Sequence, residues 1–349
     1  MTSRRAFLGA LGAVGAAGAA SVRSAGAAPS AGPPVIRPRR LEVGDTIGLV
    51  APANATFLAE ELAIARETFE ALGLRVKLGR HLLDRYGYFA GTDESRAADV
   101  NAAFADPEVD AVFAIRGGWG SARLLPRLDY DAIRRHPKIL LGYSDVTALL
   151  LAIHARTGLI TFHGPVGIST WTPFSIEQMA GVLFEADAPL LSNPVELRDG
   201  IVQVEDRIQT MTPGRARGRL LGGNLTVLTA IMGSPYLPSF DGAILFLEDT
   251  GEQVYRIDRM LTQLGLAGVL GKIKGFVFGS CSECGPGNGN FGALTLEEIF
   301  ADHIKPLGVP AWQGAMIGHG QPQWTLPEGV EVEIDADAGS MRLLESPVS

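Results

Sequence analysis

Lys138-Ile139-Leu140-Leu141-Gly142-Tyr143-Ser144-Asp145-Val146 is the stretch on which the reading of this chain turns. Three apolar residues of strand character run into a glycine, then a serine, and residues 146–156 follow with apolar side chains at helical spacing. The stretch predicts a strand, a sharp turn and a helix. In that setting a serine oxygen stands exposed at the end of a sheet, and the first N–H groups of the helix aim at a reacting carbonyl. Val146 occupies the place of the second glycine in a G-x-S-x-G turn. A Ser-Asp pair is also an ordinary helix cap, so nucleophile and cap both stand at this point.

Upstream, the pattern alternates. Strands are expected at 46–51, 75–78 and 109–115, with helices at 57–72 and 95–104. With 139–141 and its helix, this alternation predicts an α/β fold with a parallel sheet covered on both faces. Downstream, a helical stretch at 176–184 leads into a connection rich in proline and charge. A second region then begins near Arg217, with strands at 243–247 and 275–278 and helices at 255–264 and 295–303. The expected organisation is a nucleophile domain over 41–172, a linker over 173–210 and a C-terminal domain over 211–345.

The 349 residues are 46% hydrophobic and 19% charged, ample for a packed core and about two domains. The formal charge is −8, with no basic stripe interleaved with aromatics, which argues against a nucleic-acid partner. Residues 1–28 carry Ser3-Arg4-Arg5-Ala6-Phe7-Leu8, a short Ala/Gly run and Ala25-Gly26-Ala27. They predict a cleaved twin-arginine signal, periplasmic or secreted localisation, and no stable membrane anchor. Residues 29–40 read as a flexible leader. Cys281-Ser282-Glu283-Cys284 has no second cysteine pair to complete a zinc site and is read as a loop; a local disulfide there suits an oxidising compartment.

The chemistry needs partners for Ser144. Arg116-Gly117-Gly118-Trp119-Gly120-Ser121 follows a strand directly, and its backbone suits a second oxyanion donor better than a dinucleotide, because no third glycine follows. Among the histidines, His163 follows a strand and His319 sits between Gly318 and Gly320; both are candidate bases. The strand 243–247 ends in Glu248-Asp249, placed to orient an imidazolium.

Six segments now occur in one order: Arg116-Gly-Gly-Trp-Gly-Ser-Ala-Arg123, Leu141-Gly-Tyr-Ser-Asp145, Thr161-Phe-His-Gly-Pro165, Gly222-Gly-Asn-Leu-Thr226, Leu247-Glu-Asp-Thr-Gly-Glu252, and Gly318-His319 with Leu326-Pro327. Together they resemble the LD-carboxypeptidase family, which includes murein tetrapeptide carboxypeptidases and microcin C immunity peptidases. The resemblance spans about residues 41–344. It implies a flavodoxin-like N-terminal domain, a smaller β-rich α/β C-terminal domain, a homodimer, and neither metal nor cofactor. It also implies a triad of Ser144, His319 and Glu248, with backbone N–H groups of Asp145 and Gly118 as oxyanion donors. Gly117, Trp119, Arg116, His163 and Asn224 become substrate-binding candidates, and Arg116 or Arg123 a partner for the substrate carboxylate. The implied reaction is hydrolysis of an L,D-peptide bond that releases D-Ala from murein tetrapeptide through an acyl-enzyme.

The sequence departs from the family pattern in two places: Trp119 stands where a tyrosine is common, and the export signal is unusual. Two other functions compete. One is cleavage of a peptidyl- or aminoacyl-nucleotide, with Trp171 stacking on a base. The other is non-catalytic binding of murein peptides, against which the joint presence of Ser144, Glu248 and His319 speaks.

Overall fold

The first sheet is built on β1 (Thr46–Val50), all five residues of which are buried. Helix α1 (Ala59–Ala71), β2 (Arg75–Leu78), α2 (Asp93–Ala105), β3 (Ala111–Ala114), α3 (Tyr130–Arg135), β4 (Ile139–Gly142), α4 (Thr147–Thr157) and β5 (Thr161–His163) follow in chain order. In this computed structural model residues 32–195, 201–204, 206–287 and 292–349 are described. The expected signal, 1–28, lies outside them. Pairing is parallel throughout β2-β1-β3-β4-β5. That order, with β1 between β2 and β3, reverses the chain's direction of growth at the β1/β3 boundary, where ligands of open α/β sheets bind.

The chain continues through α5 (Pro173–Leu183), β6 (Leu190–Ser192), β7 (Gln209–Thr212), β8 (Arg215–Asn224), α6 (Leu225–Ala230), β9 (Ile244–Thr250), α7 (Val254–Leu266), β10 (Gly275–Ser282), α8 (Leu296–His303), β11 (Ala311–Gln313), β12 (Leu326–Glu328), β13 (Glu331–Asp335) and β14 (Ser340–Leu343). The second sheet runs β6-β14-β13-β8-β9-β10-β11-β7 among the described residues, parallel from β8 to β11 and antiparallel at both flanks. The expected architecture, a flavodoxin-like parallel sheet followed by a β-rich α/β part, is the one observed.

Three expectations about boundaries meet different facts. Residues 173–210, expected as a linker, contain α5 and contribute β6 and β7 to the edges of the second sheet. Strand β12, from the C-terminal part, pairs antiparallel with β5 and so completes the first sheet. From Ile36 onward the expected leader is seated and not flexible. Its N–H donates to Gly158, its carbonyl accepts from Ile160, Arg40 N–H reaches the Ser349 carbonyl, and Arg37 pairs with Glu345.

Helix α4 explains how the two sheets share one interior. Ala148 to Ile153 are each 0% exposed, so the helix has no polar stripe. It packs against β5 and β4 on one side and against β8 and α6 on the other. A single apolar cluster accordingly contains Val112 and Leu140 of the first sheet together with Leu221, Leu245 and Phe276 of the second. Residues Gly32–Ser349 form one compact unit.

Candidate active site

The turn after β4 places Ser144 with φ of +61°, a left-handed backbone for a residue that carries a Cβ. Such strain in a strand-to-helix turn lifts the side chain clear of the sheet. Helix α4 starts three residues later, and its buried wall of leucines fixes the turn to the core.

The other two triad candidates come from the second sheet. Glu248 lies in β9 and is fully buried; its neighbour across the pairing is Asn224 of β8. His319 sits in the connection between β11 and β12. That connection is held where the Ser280 N–H donates to the Ile317 carbonyl and the Trp324 N–H donates to the Met316 carbonyl. Gly318 has φ of +99°, and a Cβ there would stand 2.3 Å from Glu248 Oε2, so glycine is required for the imidazole to approach the carboxylate.

The three side chains meet. Ser144 Oγ lies 3.1 Å from His319 Nε2, and His319 Nδ1–H donates to Glu248 Oε2 at 2.7 Å. The Tyr143 ring lies edge-on to the imidazole at 5.0 Å between centroids. Burial disfavours the imidazolium, but the hydrogen bond and charge of Glu248, with Asp249 and Glu283 farther off, outweigh it, and the His319 pKa is raised above the ordinary 6.5.

The glycine loop after β3 faces the same serine. Gly118 has φ of +120° and packs on Asn54, whose Oδ1 accepts from the Trp119 N–H at 3.1 Å. Asp145 ties this loop to the turn: its buried Oδ2 accepts from the Ser121 N–H at 2.7 Å. Burial raises the Asp145 pKa, opposed by hydrogen bonds from Ser121 and Gly120 and by the charge of Arg96. Its carboxylate thus holds the loop, while its backbone N–H remains in the turn beside Ser144.

A cavity of about 280 Å³ opens between the two sheets, bordered by Gly118, Trp119 and Ser144 on one side and Asn224, Asp249 and Glu252 on the other. Among the described residues no lysine or arginine borders it. Asn224 caps α6 and donates through Nδ2 to Asp249 Oδ1 at 3.1 Å. Asp249 also accepts from the Thr226 N–H and Oγ. Burial and the adjacent Glu248 charge push its pKa up to about 6.

Several candidates lie elsewhere. Arg116 does not border the cavity; its Nη1 donates to the Ala55 carbonyl and faces Glu61 at 3.6 Å. Arg123 is bound through Nε to both carboxylate oxygens of Asp93, each at 2.9 Å. Gly117 lies beneath Ser144 and does not line the cavity. His163 is fully buried behind the triad against Tyr143 and Phe246, where desolvation lowers its pKa to about 4 and keeps it neutral. Trp171 packs edge-on against Phe69 and donates to the Val166 carbonyl, so its face is not presented to the cavity. Cys281 and Cys284 form a disulfide. The sequence reading missed Asn54, which braces the glycine loop across sixty-five positions and carries no local signal. It also missed Thr226 and Glu252, both visible in the quoted segments but without an assigned task.

The family models match on both sides of the linker region: the LD-carboxypeptidase N-terminal domain over residues 47–164 and the LD-carboxypeptidase C-terminal domain over 217–334. The chain belongs to the LD-carboxypeptidase family. A probable murein peptide carboxypeptidase of Bacillus subtilis is 37% identical over 318 residues, covering 90% of this chain and 95% of its own. Among solved structures, the microcin C7 self immunity protein MccF in its apo state superposes with a TM-score of 0.82 at 29% identity, covering 90% of this chain and all of that one. A muramoyltetrapeptide carboxypeptidase from Oxalobacter formigenes gives 0.72 at 28% identity over 85% of this chain and 97% of its own. As a member of this family the chain is a carboxypeptidase-type hydrolase.

Proposed function

We propose that this protein is a serine LD-carboxypeptidase that releases the terminal D-Ala of a murein tetrapeptide. The observation that carries the proposal is the continuous chain of hydrogen-bonding groups from Ser144 Oγ through His319 to the buried Glu248, opening on a cavity. Its residues divide the work. His319 Nε2 takes the Ser144 proton as Oγ attacks the carbonyl carbon of the L,D-bond. Glu248 holds the imidazole by Nδ1 and stabilises the imidazolium that forms. The backbone N–H groups of Gly118 and Asp145 receive the developing oxyanion. His319 then returns the proton to the leaving D-Ala nitrogen, leaving an acyl-Ser144, and water activated by the same histidine hydrolyses it.

The names of the B. subtilis and O. formigenes relatives support murein peptide as the substrate class. A second reading is the immunity type, since structures of MccF are described in complex with glutamyl sulfamoyl guanosine and aspartyl sulfamoyl adenosine. The packed position of Trp171 speaks against base stacking by that ring. Twin-arginine export and action outside the cytoplasm are part of the proposal, on the strength of Ser3 to Leu8 and Ala25 to Ala27.

The test is a competition among three substrates: murein tetrapeptide ending in D-Ala, the same peptide ending in L-Ala, and an aminoacyl-sulfamoyl nucleoside. The proposal expects kcat/KM to be highest for the D-Ala peptide by at least about a hundredfold, the discrimination expected when a built site rejects the wrong configuration. Preference for the nucleoside would replace this reading with the immunity type.

A further inference from the structure

One charged side chain is buried behind the glycine loop and has no part in the chemistry proposed above. Arg96, in the first turns of α2, is 1% exposed. Burying a guanidinium is costly, and a core ion pair is often no more stable than well-packed apolar residues of the same size. Packing alone therefore does not explain the charge. The hydrogen bonds point to another task. Nη1 donates to the Pro52 carbonyl and, at 3.1 Å, to the Gly120 carbonyl. Nη2 pairs with Asp93, and the guanidinium lies over the Phe89 ring at 4.5 Å.

The two carbonyls belong to two different loops. Pro52 follows β1 and Gly120 follows β3, which are paired neighbours in the first sheet. The same loops meet again where the Asn54 N–H donates to the Gly117 carbonyl at 3.4 Å and the Trp119 N–H donates to Asn54. The Gly120–Ser121 peptide is gripped at both ends: its oxygen accepts from Arg96, and its N–H donates to Asp145 Oδ2 at 2.7 Å. Gly120 has φ of +119°, and a Cβ there would stand 2.9 Å from Arg96 Nη1, so glycine lets the guanidinium reach the backbone. The loop also lies tight on the nucleophile, since a Cβ on Gly117 would stand 2.8 Å from Ser144 Cβ. Asp145 and Gly118 carry the two N–H groups proposed to receive the oxyanion. One peptide unit thus connects the two donors, and Arg96 fixes the end of it that Asp145 does not.

We propose that Arg96 is a positioning residue of the oxyanion site: by pinning the Gly120 carbonyl against that of Pro52, it keeps the Gly118 N–H aimed at the oxygen of the carbonyl that Ser144 attacks. The inference rests on the reading of Ser144 as nucleophile, not on which peptide it cuts. Arg96 touches no substrate and acts only through the loop. A displacement of about 1 Å in such a group can cost about a hundredfold in rate. Asp93 is also bound by Arg123, so removing the Arg96 charge does not leave that carboxylate alone in the core.

The experiment measures kcat and KM for D-Ala release from murein tetrapeptide, the Ser144-dependent hydrolysis of p-nitrophenyl acetate, and the melting temperature, in the wild type, Arg96→Met and Arg96→Lys. Arg96→Met is expected to melt close to the wild type, since an apolar chain of similar length fills the space. Its kcat should fall by about tenfold to a hundredfold with KM within about twofold, and the ester should slow by a similar factor. Arg96→Lys, which keeps the charge without the planar fork, should recover part of the loss. An Arg96→Met protein that melts lower but keeps the wild-type kcat would overturn the proposal, because Arg96 would then serve stability alone. A raised KM at unchanged kcat would overturn it as well. If Arg96→Met does not fold, Arg96→Lys decides: kcat reduced by about threefold or more upholds the role, and a wild-type kcat rejects it. If the wild type releases no D-Ala, the murein reading fails and the ester decides Arg96 by itself. Ser144-dependent hydrolysis that slows about tenfold or more in Arg96→Met upholds the inference; equal hydrolysis, or none that depends on Ser144, rejects it.

Discussion

At the scale of single residues, the proposed chemistry turns on the protonation state of His319. In the proposed mechanism it must be neutral to accept the Ser144 proton, yet Glu248 raises its pKa above 6.5 against the effect of burial. The acid limb of kcat/KM is therefore expected above the ordinary imidazole range. Glu248→Gln removes the charge that favours the imidazolium, so that limb should move to lower pH, while kcat falls by about 10³-fold or more because the ring loses its orienting acceptor. A pH–rate profile of both proteins checks this, and an unmoved limb would detach Glu248 from His319. Gly118→Ala tests the oxyanion loop. A Cβ there would stand 2.4 Å from Asn54 Cγ at a backbone φ of +120°. The loop must shift, and kcat should drop by about 10²-fold or more with a smaller change in KM, the cost of losing one oxyanion donor.

The residues that were legible in the sequence share a property. Ser144, His319, Glu248 and Gly118 each sit in a short turn or strand end whose glycines and apolar flanks announce it locally. Arg116 and Arg123 had the right charge in the right loop, but their partners Glu61 and Asp93 come from other elements, and no local pattern reveals that they are already engaged.

At the scale of elements, the alternating βα pattern was readable as far as α4, apart from the short α3, because most of these strands are apolar runs and the longer helices have their own period. The second sheet was readable only at β9 and β10. Strand β8 begins with alternating arginines and ends in Gly222-Gly223, and β12 carries a proline and a buried glutamate. Propensity argues against both as strands; pairing with β9, β13 and β5 overrides it.

Glu328 shows the consequence. It is fully buried in β12, with no ion pair among the described residues, and desolvation raises its pKa well above the ordinary 4.5, with only the Gly222 backbone acting against it. The folded state therefore holds a proton that the unfolded chain releases above about pH 4.5, so this side chain costs stability as pH rises from there. Gln does not titrate. Glu328→Gln should melt higher than the wild type, and the gap should widen between pH 4 and pH 8 in thermal scans. A gap constant with pH would mean that Glu328 has the same pKa folded and unfolded.

At the scale of the whole molecule, the structure joins into one compact unit what the sequence reads as two domains and a linker. Ser144 belongs to the first sheet, Glu248 and His319 to the second part of the chain, and α4 with its shared apolar cluster holds them in register. Helix α4 reads as an apolar helix in sequence, but nothing local says that both of its faces are covered. A polar link crosses this boundary where the Asn224 N–H donates to Thr147 Oγ at 3.1 Å inside the core. Thr147→Val keeps the shape and strands that N–H, at a cost of about 1–3 kcal/mol. The melting temperature should fall by roughly 2–4 °C for each kcal/mol, in one transition and not two, because the core is continuous. Two separated transitions in calorimetry would show that the parts unfold independently.

On the proposal above, a serine brought to a histidine and a glutamate across this boundary cuts the L,D-bond of a murein tetrapeptide. Its most direct test is the rate of free D-Ala release from that peptide by the wild type and by Ser144→Ala, measured side by side. The expected result is steady release by the wild type and a loss of several orders of magnitude in the variant. Release at equal rates from both proteins, or none from the wild type, would contradict it.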